Sequence, residues 1–150
     1  METPAPHLPK AVLFACTRNV VRSPMAAGLM RYHHGSSVYV ASAGLSHGEP
    51  DGFAIEVMAE MNIEIGAHRS RTFEEMGDVA FDLIVSLSPE AQHHAAKLFQ
   101  SYSLDIEYWP TFDPSYIEGS REQRLAGYRS IRDALNKRIL ARFPQSASSA

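Results

Sequence analysis

Strand-like and helix-like segments alternate along the chain, and this alternation limits the folds open to it. Four short runs are rich in β-branched and aromatic residues, which favour strands; they are residues 11–15, 38–41, 81–86 and 106–109. Helical patterns follow them at about 24–34, 51–62, 89–100 and 119–142. The order predicts an α/β fold with three α/β/α layers, in which helices cover both faces of a four-stranded parallel sheet.

The length of 150 residues suits one domain with one substantial core. We therefore predict a single domain over 1–150, with flexible ends at about 1–9 and 144–150. Two helices carry apolar side chains at three- and four-residue spacing, and we assign these to core packing. They are Phe53, Val57, Met58 and Met61, and then Leu125, Tyr128, Ile131, Leu135 and Ile139.

The only cysteine lies in the segment Cys16-Thr17-Arg18-Asn19-Val20-Val21-Arg22-Ser23, between the first strand and the first helix. A lone cysteine at a strand end is usually a small buried hydrophobe. The strand before Cys16, the Arg-Ser pair after it and the Ser23-Pro24 helix start all favour a functional role instead. We predict Ser23 as the N-cap and Pro24 as the first helical residue.

A strand, a short loop and a helix N-terminus together form an anion site, because backbone N–H groups and the helix dipole point to one place. The same environment stabilises a thiolate, so we predict Cys16 as a nucleophile beside a bound oxyanion. Arg22 offers two parallel donors to two phosphate oxygens. An arginine near a helix N-terminus opposes the dipole unless an anion lies there.

These residues resemble the low-molecular-weight protein tyrosine phosphatase family, whose fold is shared by thioredoxin-type arsenate reductases. The resemblance covers about residues 10–143 and includes four further segments. They are Ser42-Ala43-Gly44, Gly48-Glu49-Pro50-Asp51, His68-Arg69-Ser70-Arg71 and Asp113-Pro114. It implies a flavodoxin-like sheet and the hydrolysis of phosphomonoesters through a phosphocysteine intermediate.

The resemblance also implies a role for each matched residue. Cys16, Arg22 and Asp113 are the expected catalytic residues, with Asp113 acting as general acid and then as general base. The expected substrate-binding residues are Thr17, Arg18, Asn19, Val20, Val21, Ser23 and Tyr116, and an aryl substrate would stack on Tyr116. Ser42 and His68 are expected to hold the Asn19 side chain, with Arg71 nearby.

The chain departs from the family pattern at three places. Arg18 stands where the family usually has Gly, and we expect its side chain at the pocket mouth, pointing away from the bound oxyanion. Val21 stands where many members carry a second cysteine. No aromatic residue precedes Phe53 in the stretch after Gly44, where many members have one wall of the phosphotyrosine slot.

Composition excludes several function classes. Fourteen basic and seventeen acidic residues give a net charge of −3, which does not favour nucleic-acid binding. No apolar stretch is long enough to span a membrane, and the N-terminus lacks a secretory signal pattern. A single cysteine indicates a reducing cytoplasm. The adjacent pairs His33-His34 and His93-His94 do not form a metal-ligand pattern, and we predict no metal and no cofactor.

Three functions remain open from the sequence. The first is a metal-independent phosphatase acting on a phosphorylated protein, notably on phosphotyrosine, or on a small phosphomonoester. The second is an arsenate reductase that uses an external thiol, because one cysteine cannot form an intramolecular relay. The third is a phosphate- or phosphopeptide-binding module with little turnover.

Overall fold

The structure is a computed structural model and describes residues 8–77 and 79–145. The predicted alternation of strands and helices is confirmed. The elements are β1 (Ala11–Ala15), α1 (Arg22–His34), β2 (Tyr39–Ala43), α2 (Gly52–Ala59), β3 (Leu83–Ser86), α3 (Pro89–Leu98), β4 (Asp105–Tyr108) and α4 (Arg121–Arg142). Short 3-10 turns lie at Glu74–Met76 and Pro114–Tyr116.

The four strands form one parallel sheet in the order β2-β1-β3-β4. β1 is central, and all five of its residues are buried, as expected for a strand covered on both faces. The residues after β1 and β3 therefore lie together at the carboxyl edge of the sheet, where ligands bind in folds of this type.

Helices pack on both faces of the sheet, as predicted. Val12 and Phe14 of β1 belong to a core shared with α1, α2 and α4. Leu13 and Ala15 point to the opposite face and join a second core with α3. This alternation follows from the two-residue period of a strand, and it produces the three-layer arrangement.

Some element bounds differ from the prediction. The second helix ends at Ala59 rather than near residue 62, and Asn62 then takes a left-handed conformation with φ of 60°. The last helix begins at Arg121, after a capping box between Ser120 and Gln123. The predicted flexible ends lie mostly outside the described residues. No helix within the described part of the chain is long and apolar enough to cross a membrane.

Candidate active site

The loop from Cys16 to Val21 joins the end of β1 to the start of α1. Asn19 lies in its middle with φ of 57°, a left-handed conformation that asparagine tolerates better than most residues. Gly44, just after β2, lies against the loop. A Cβ atom there would come within 2.9 Å of the Asn19 nitrogen and of the Thr17 oxygen. The loop is thus closely packed against the neighbouring strand end.

Cys16 is 2% exposed, and its Sγ lies 2.9 Å from the Ser23 hydroxyl oxygen. Ser23 is not the N-cap that the sequence predicted, because α1 begins at Arg22, two residues before the predicted Pro24, and Val21 occupies the cap position. The Ser23 hydroxyl turns instead toward Cys16 and Asn19. A hydroxyl placed there can donate to a thiolate.

The hydrogen bonds of Asn19 differ from those that the resemblance implied. Its amide nitrogen donates to the Ser23 hydroxyl at 2.8 Å, and its amide oxygen accepts the backbone N–H of Arg71 at 2.9 Å. The His68 ring contacts the Asn19 backbone carbonyl at 2.9 Å, not the side chain. Within the described residues, no hydrogen bond joins Ser42 to this amide. Its position in β2 is opposite Phe14, two residues before Cys16.

The His68 ring is half-buried against the loop. Burial lowers its pKa, and the charges of Arg31 and Arg71 lower it further, while the contact with the Asn19 carbonyl acts in the opposite direction. A neutral ring is therefore favoured near pH 7, and it can hold the carbonyl by donating its one N–H.

Arg22 and Asp113 lie together beside Cys16. The Arg22 guanidinium donates to the Thr111 carbonyl oxygen at 3.0 Å, and another of its nitrogens lies 3.7 Å from the Asp113 carboxylate. Asp113 also accepts the backbone N–H of Ser115 at 2.9 Å, which fixes its position before the turn Pro114–Tyr116. The segment after β4 thus brings a carboxyl group to the edge where β1 ends.

A pocket of about 340 Å³ opens over Cys16 and is lined by Arg22 and Asp113 as well. Of the residues expected to bind substrate, it includes Thr17, Arg18, Val20, Val21 and Tyr116. Asn19 and Ser23 do not line it; they are fully buried and support the loop from behind.

Two of the expected substrate-binding residues form part of the pocket rim. Tyr116 is 76% exposed, and Arg18 is also exposed to solvent, which is the place expected for a rim cation. The Arg18 backbone carbonyl accepts the Ser70 hydroxyl at 2.7 Å. This contact fixes the Arg18 backbone and leaves the guanidinium at the surface.

Sequence reasoning missed four residues of this site. Phe112, Glu90 and Thr111 line the pocket, and Ser88 anchors the loop by accepting the Thr17 hydroxyl at 3.1 Å. Ser88 is also the N-cap of α3, and its place before Pro89 was the available signal. No comparable pattern marks Glu90 or Phe112. Within the described residues, no group of three or more His, Cys, Asp or Glu side chains is placed to hold a metal ion.

The sequence of the chain matches that of a known family. A family model described as "Low molecular weight phosphotyrosine protein phosphatase" matches residues 11–145. The chain belongs to this phosphatase family. The fold expected from the resemblance is therefore confirmed, and the chain is an enzyme of this family.

Similar proteins of the family carry more than one activity in their names. An arsenate reductase of Halalkalibacterium halodurans is 33% identical over 132 residues, which cover 87% of this chain and 92% of that protein. A solved arsenate reductase in its phosphate-binding state is 27% identical with a TM-score of 0.69, covering 88% and 95% of the two chains. An arginine phosphatase from Geobacillus stearothermophilus is 26% identical with a TM-score of 0.72, covering 87% and 88%.

Proposed function

We propose that this family member is a metal-independent phosphatase that hydrolyses phosphomonoesters through a phosphocysteine on Cys16. The observation that carries the proposal is the shared pocket of Cys16, Arg22 and Asp113, which are a buried thiol, a guanidinium and a carboxyl group. A thiol and an arginine alone would bind an oxyanion. The carboxyl group adds the proton donor that the departure of an ester oxygen requires.

In the first half of the reaction, the Cys16 thiolate attacks phosphorus, so that a P–S bond forms and the ester P–O bond breaks. Arg22 holds two non-bridging oxygens as their charge develops. Asp113 donates a proton to the leaving oxygen. The alcohol or phenol then departs, leaving a phosphocysteine.

In the second half, water attacks the phosphocysteine and Asp113 accepts a proton from it. The P–S bond breaks, and inorganic phosphate and the Cys16 thiolate are released. The Ser23 hydroxyl, 2.9 Å from Sγ, stabilises the thiolate as it departs. The loop thus serves the nucleophile in both steps.

The rim favours a substrate with an aromatic body. Tyr116 and Phe112 are exposed at the pocket, and an aryl group entering it can stack on either ring. These rings stand on the Asp113 side, where the leaving group departs. We therefore propose protein phosphotyrosine as the substrate class.

Arsenate reduction with an external thiol is the second candidate, and the names of the sequence relatives favour it. Arsenate has the charge and geometry of phosphate, so the first attack by Cys16 would be the same. That attack would form an As–S bond and release water. An external thiol would then attack the Cys16 sulfur, so that a mixed disulfide forms and the As–S bond breaks. The electron pair of the broken bond would stay on arsenic, which leaves as arsenite. The third candidate, a phosphate- or phosphopeptide-binding module, retains the pocket but lacks turnover.

A kinetic comparison of three substrates tests these candidates. The purified protein is given an aryl phosphate, phosphoserine, or arsenate with and without added thiol. We expect release of phosphate from the aryl phosphate without thiol, at a rate well above that from phosphoserine. Thiol-dependent arsenite with no phosphate release would support the reductase instead, and tight phosphate binding without either product would support the binding module.

The proposed chemistry also bears on location. Cys16 acts only as a free thiolate, and thiols persist in reducing compartments. We therefore propose a cytoplasmic enzyme. Orthophosphate and similar oxyanions would compete with the substrate for the loop.

A further inference from the structure

A second and larger pocket lies on the other side of the catalytic loop. Its volume is about 740 Å³, against about 340 Å³ for the pocket over Cys16. Three arginines line it: Arg31 in the last turn of α1, and Arg69 and Arg71 in the segment that packs on the loop. We refer to it as the arginine pocket.

Positive charge in the arginine pocket is not offset by protein carboxylates. Within residues 8–77 and 79–145, no carboxylate oxygen lies within 4 Å of the guanidinium of Arg31, Arg69 or Arg71. The one acidic residue in the lining, Glu64, accepts the backbone N–H of Gly66. The arginines of α4 differ, because Arg129 and Arg132 both contact Glu60.

The cations of the arginine pocket act on one another. Burial lowers the pKa of Arg31, and the nearby charge of Arg71 lowers it further. The same two arginines lower the pKa of His68, which also lines the pocket. A bound anion would relieve this repulsion, and guanidinium groups pair well with planar or tetrahedral oxyanions.

The floor of the arginine pocket is apolar. Ile63, Ile65 and Gly28 contribute to the lining, and the Tyr32 ring at its edge is 61% exposed. An inorganic ion bound to the arginines would leave this apolar surface exposed to water. A volume of this size and a mixed lining suit a small organic molecule.

We propose that the arginine pocket binds a small organic anion, with its oxyanion group on the arginines and its apolar or aromatic body on the isoleucine and tyrosine side. This ligand site is separate from the catalytic pocket. The two sites share no lining residue among the described ones.

The arginine pocket is coupled to the nucleophile by a short path of hydrogen bonds. The backbone N–H of Arg71 and the ring of His68 both contact Asn19, whose amide donates to the Ser23 hydroxyl, which in turn contacts Cys16 Sγ. A ligand that moves the His68 ring or the Arg71 backbone changes the support of Asn19. We therefore expect occupation of the arginine pocket to change the turnover number.

Binding of 1-naphthalenesulfonate, a non-hydrolysable aromatic anion, tests the site. Calorimetric titration is performed with and without orthovanadate, which occupies the catalytic pocket. We expect one saturable site that persists in vanadate, and Arg69→Gln should weaken it by about tenfold or more, as the loss of a charged hydrogen bond predicts. The matched control, Arg121→Gln, removes an exposed arginine of α4 and should leave binding unchanged.

Three results would overturn the site. They are the absence of saturable binding, loss of binding when vanadate is present, and equal weakening by Arg69→Gln and Arg121→Gln. Arg31→Gln provides a second variant from a different element, and weakening by Arg18→Gln alone would place the probe in the catalytic pocket. This binding measurement needs no phosphatase activity. It therefore tests the arginine pocket independently of the proposed function.

Coupling has its own readout. Saturating naphthalenesulfonate should change the kcat of the wild-type protein on its active substrate, and Arg69→Gln should reduce that response. An unchanged kcat at a concentration that fills the site would overturn the coupling.

Discussion

The loop from Cys16 to Val21, together with Arg22 and Ser23 at the start of α1, has two sides that are built differently. On the front, Cys16 and Arg22 line an open pocket opposite Asp113, and only part of their hydrogen-bonding capacity is used by protein atoms. On the back, Asn19 is buried and contacts Ser23, Arg71 and His68. The front of the loop is open to a ligand, and the hydrogen bonds on the back stabilise the loop conformation.

This difference predicts two classes of variant. Changes on the front should reduce the reaction rate while leaving the free energy of unfolding nearly unchanged. Changes on the back should reduce both together, because buried polar partners are lost. The predictions below test that separation, beginning with the largest effect.

Replacement of the nucleophile should have the largest effect. Cys16→Ser should lose nearly all turnover, because a hydroxyl stays protonated where the thiol can ionise. The variant should still bind vanadate or phosphate, as measured by calorimetry, and should unfold near the wild-type denaturant midpoint. Substantial metal-free hydrolysis by this variant would refute a thiol mechanism.

Replacement of Asp113 should slow the reaction by about 100- to 10,000-fold for a poor leaving group, which is the usual range for general acid catalysis. The loss should be smaller for an aryl phosphate with a low-pKa leaving group, because that oxygen departs unprotonated. Single-turnover rates of Asp113→Asn across a leaving-group series measure this slope. An equal loss for all leaving groups would assign the proton to another residue, and Glu90, which also lines the pocket, would be tested next.

Arg22→Lys keeps the charge but removes the planar fork. We expect a loss of about 2–4 kcal/mol in transition-state stabilisation, similar to other lost oxyanion contacts. The measurement is kcat/KM on an aryl phosphate, with the denaturant midpoint measured alongside. Rates near those of the wild type would show that Arg22 does not contact the transferring group.

Asn19→Ala examines the back of the loop, and Asn62→Ala is its matched control. Both asparagines have φ near +60°, so alanine is strained at either place. Only Asn19 lies in the catalytic loop and contacts Ser23. Loss of its side chain should lower both kcat and the free energy of unfolding, the latter by about 1–3 kcal/mol. Asn62→Ala should lower stability alone. An unchanged kcat in Asn19→Ala would show that the hydrogen bonds on the back of the loop do not affect catalysis.

The two sides also differ in how far the sequence could predict them. Cys16 and Arg22 lie within a few residues of a strand end, and a strand, loop and helix start constrain their positions locally. Asp113 was placed by resemblance, because only the parallel sheet, in which β4 pairs with β3, brings the end of β4 to the edge where β1 ends. The predicted partners of Asn19 were wrong in part, because a hydrogen-bond pattern depends on atomic positions. A two-residue change in the start of α1 alters those positions.

The start of α1 shows why the sequence did not predict these hydrogen bonds. Ser23 followed by Pro24 is a favourable N-cap pattern, yet the helix begins at Arg22 and leaves the hydroxyl for Cys16 and Asn19. Tertiary contacts in the loop outweighed a local capping preference of about 1 kcal/mol. The sequence did not predict the arginine pocket, because its lining combines α1 with a distant segment. The resemblance marked residues 68–71 in that segment but did not connect them with Arg31.

Substitution of Arg18 should have the smallest effect, and it tests how the front of the loop attracts an anionic substrate. Its guanidinium is exposed at the rim, so its charge acts on the approach of an anionic substrate more than on the chemical step. Arg18→Gln removes the charge but keeps a side chain, and Arg18→Gly also frees the backbone. We expect both variants to raise KM for a dianionic aryl phosphate several-fold at low ionic strength, with kcat nearly unchanged. The difference from wild type should shrink as salt screens the charge. A large gain in kcat in Arg18→Gly that is absent from Arg18→Gln would have a different meaning. It would show that a non-glycine residue at position 18 restrains the backbone of the loop and thereby limits turnover. That result would favour the binding module over the phosphatase.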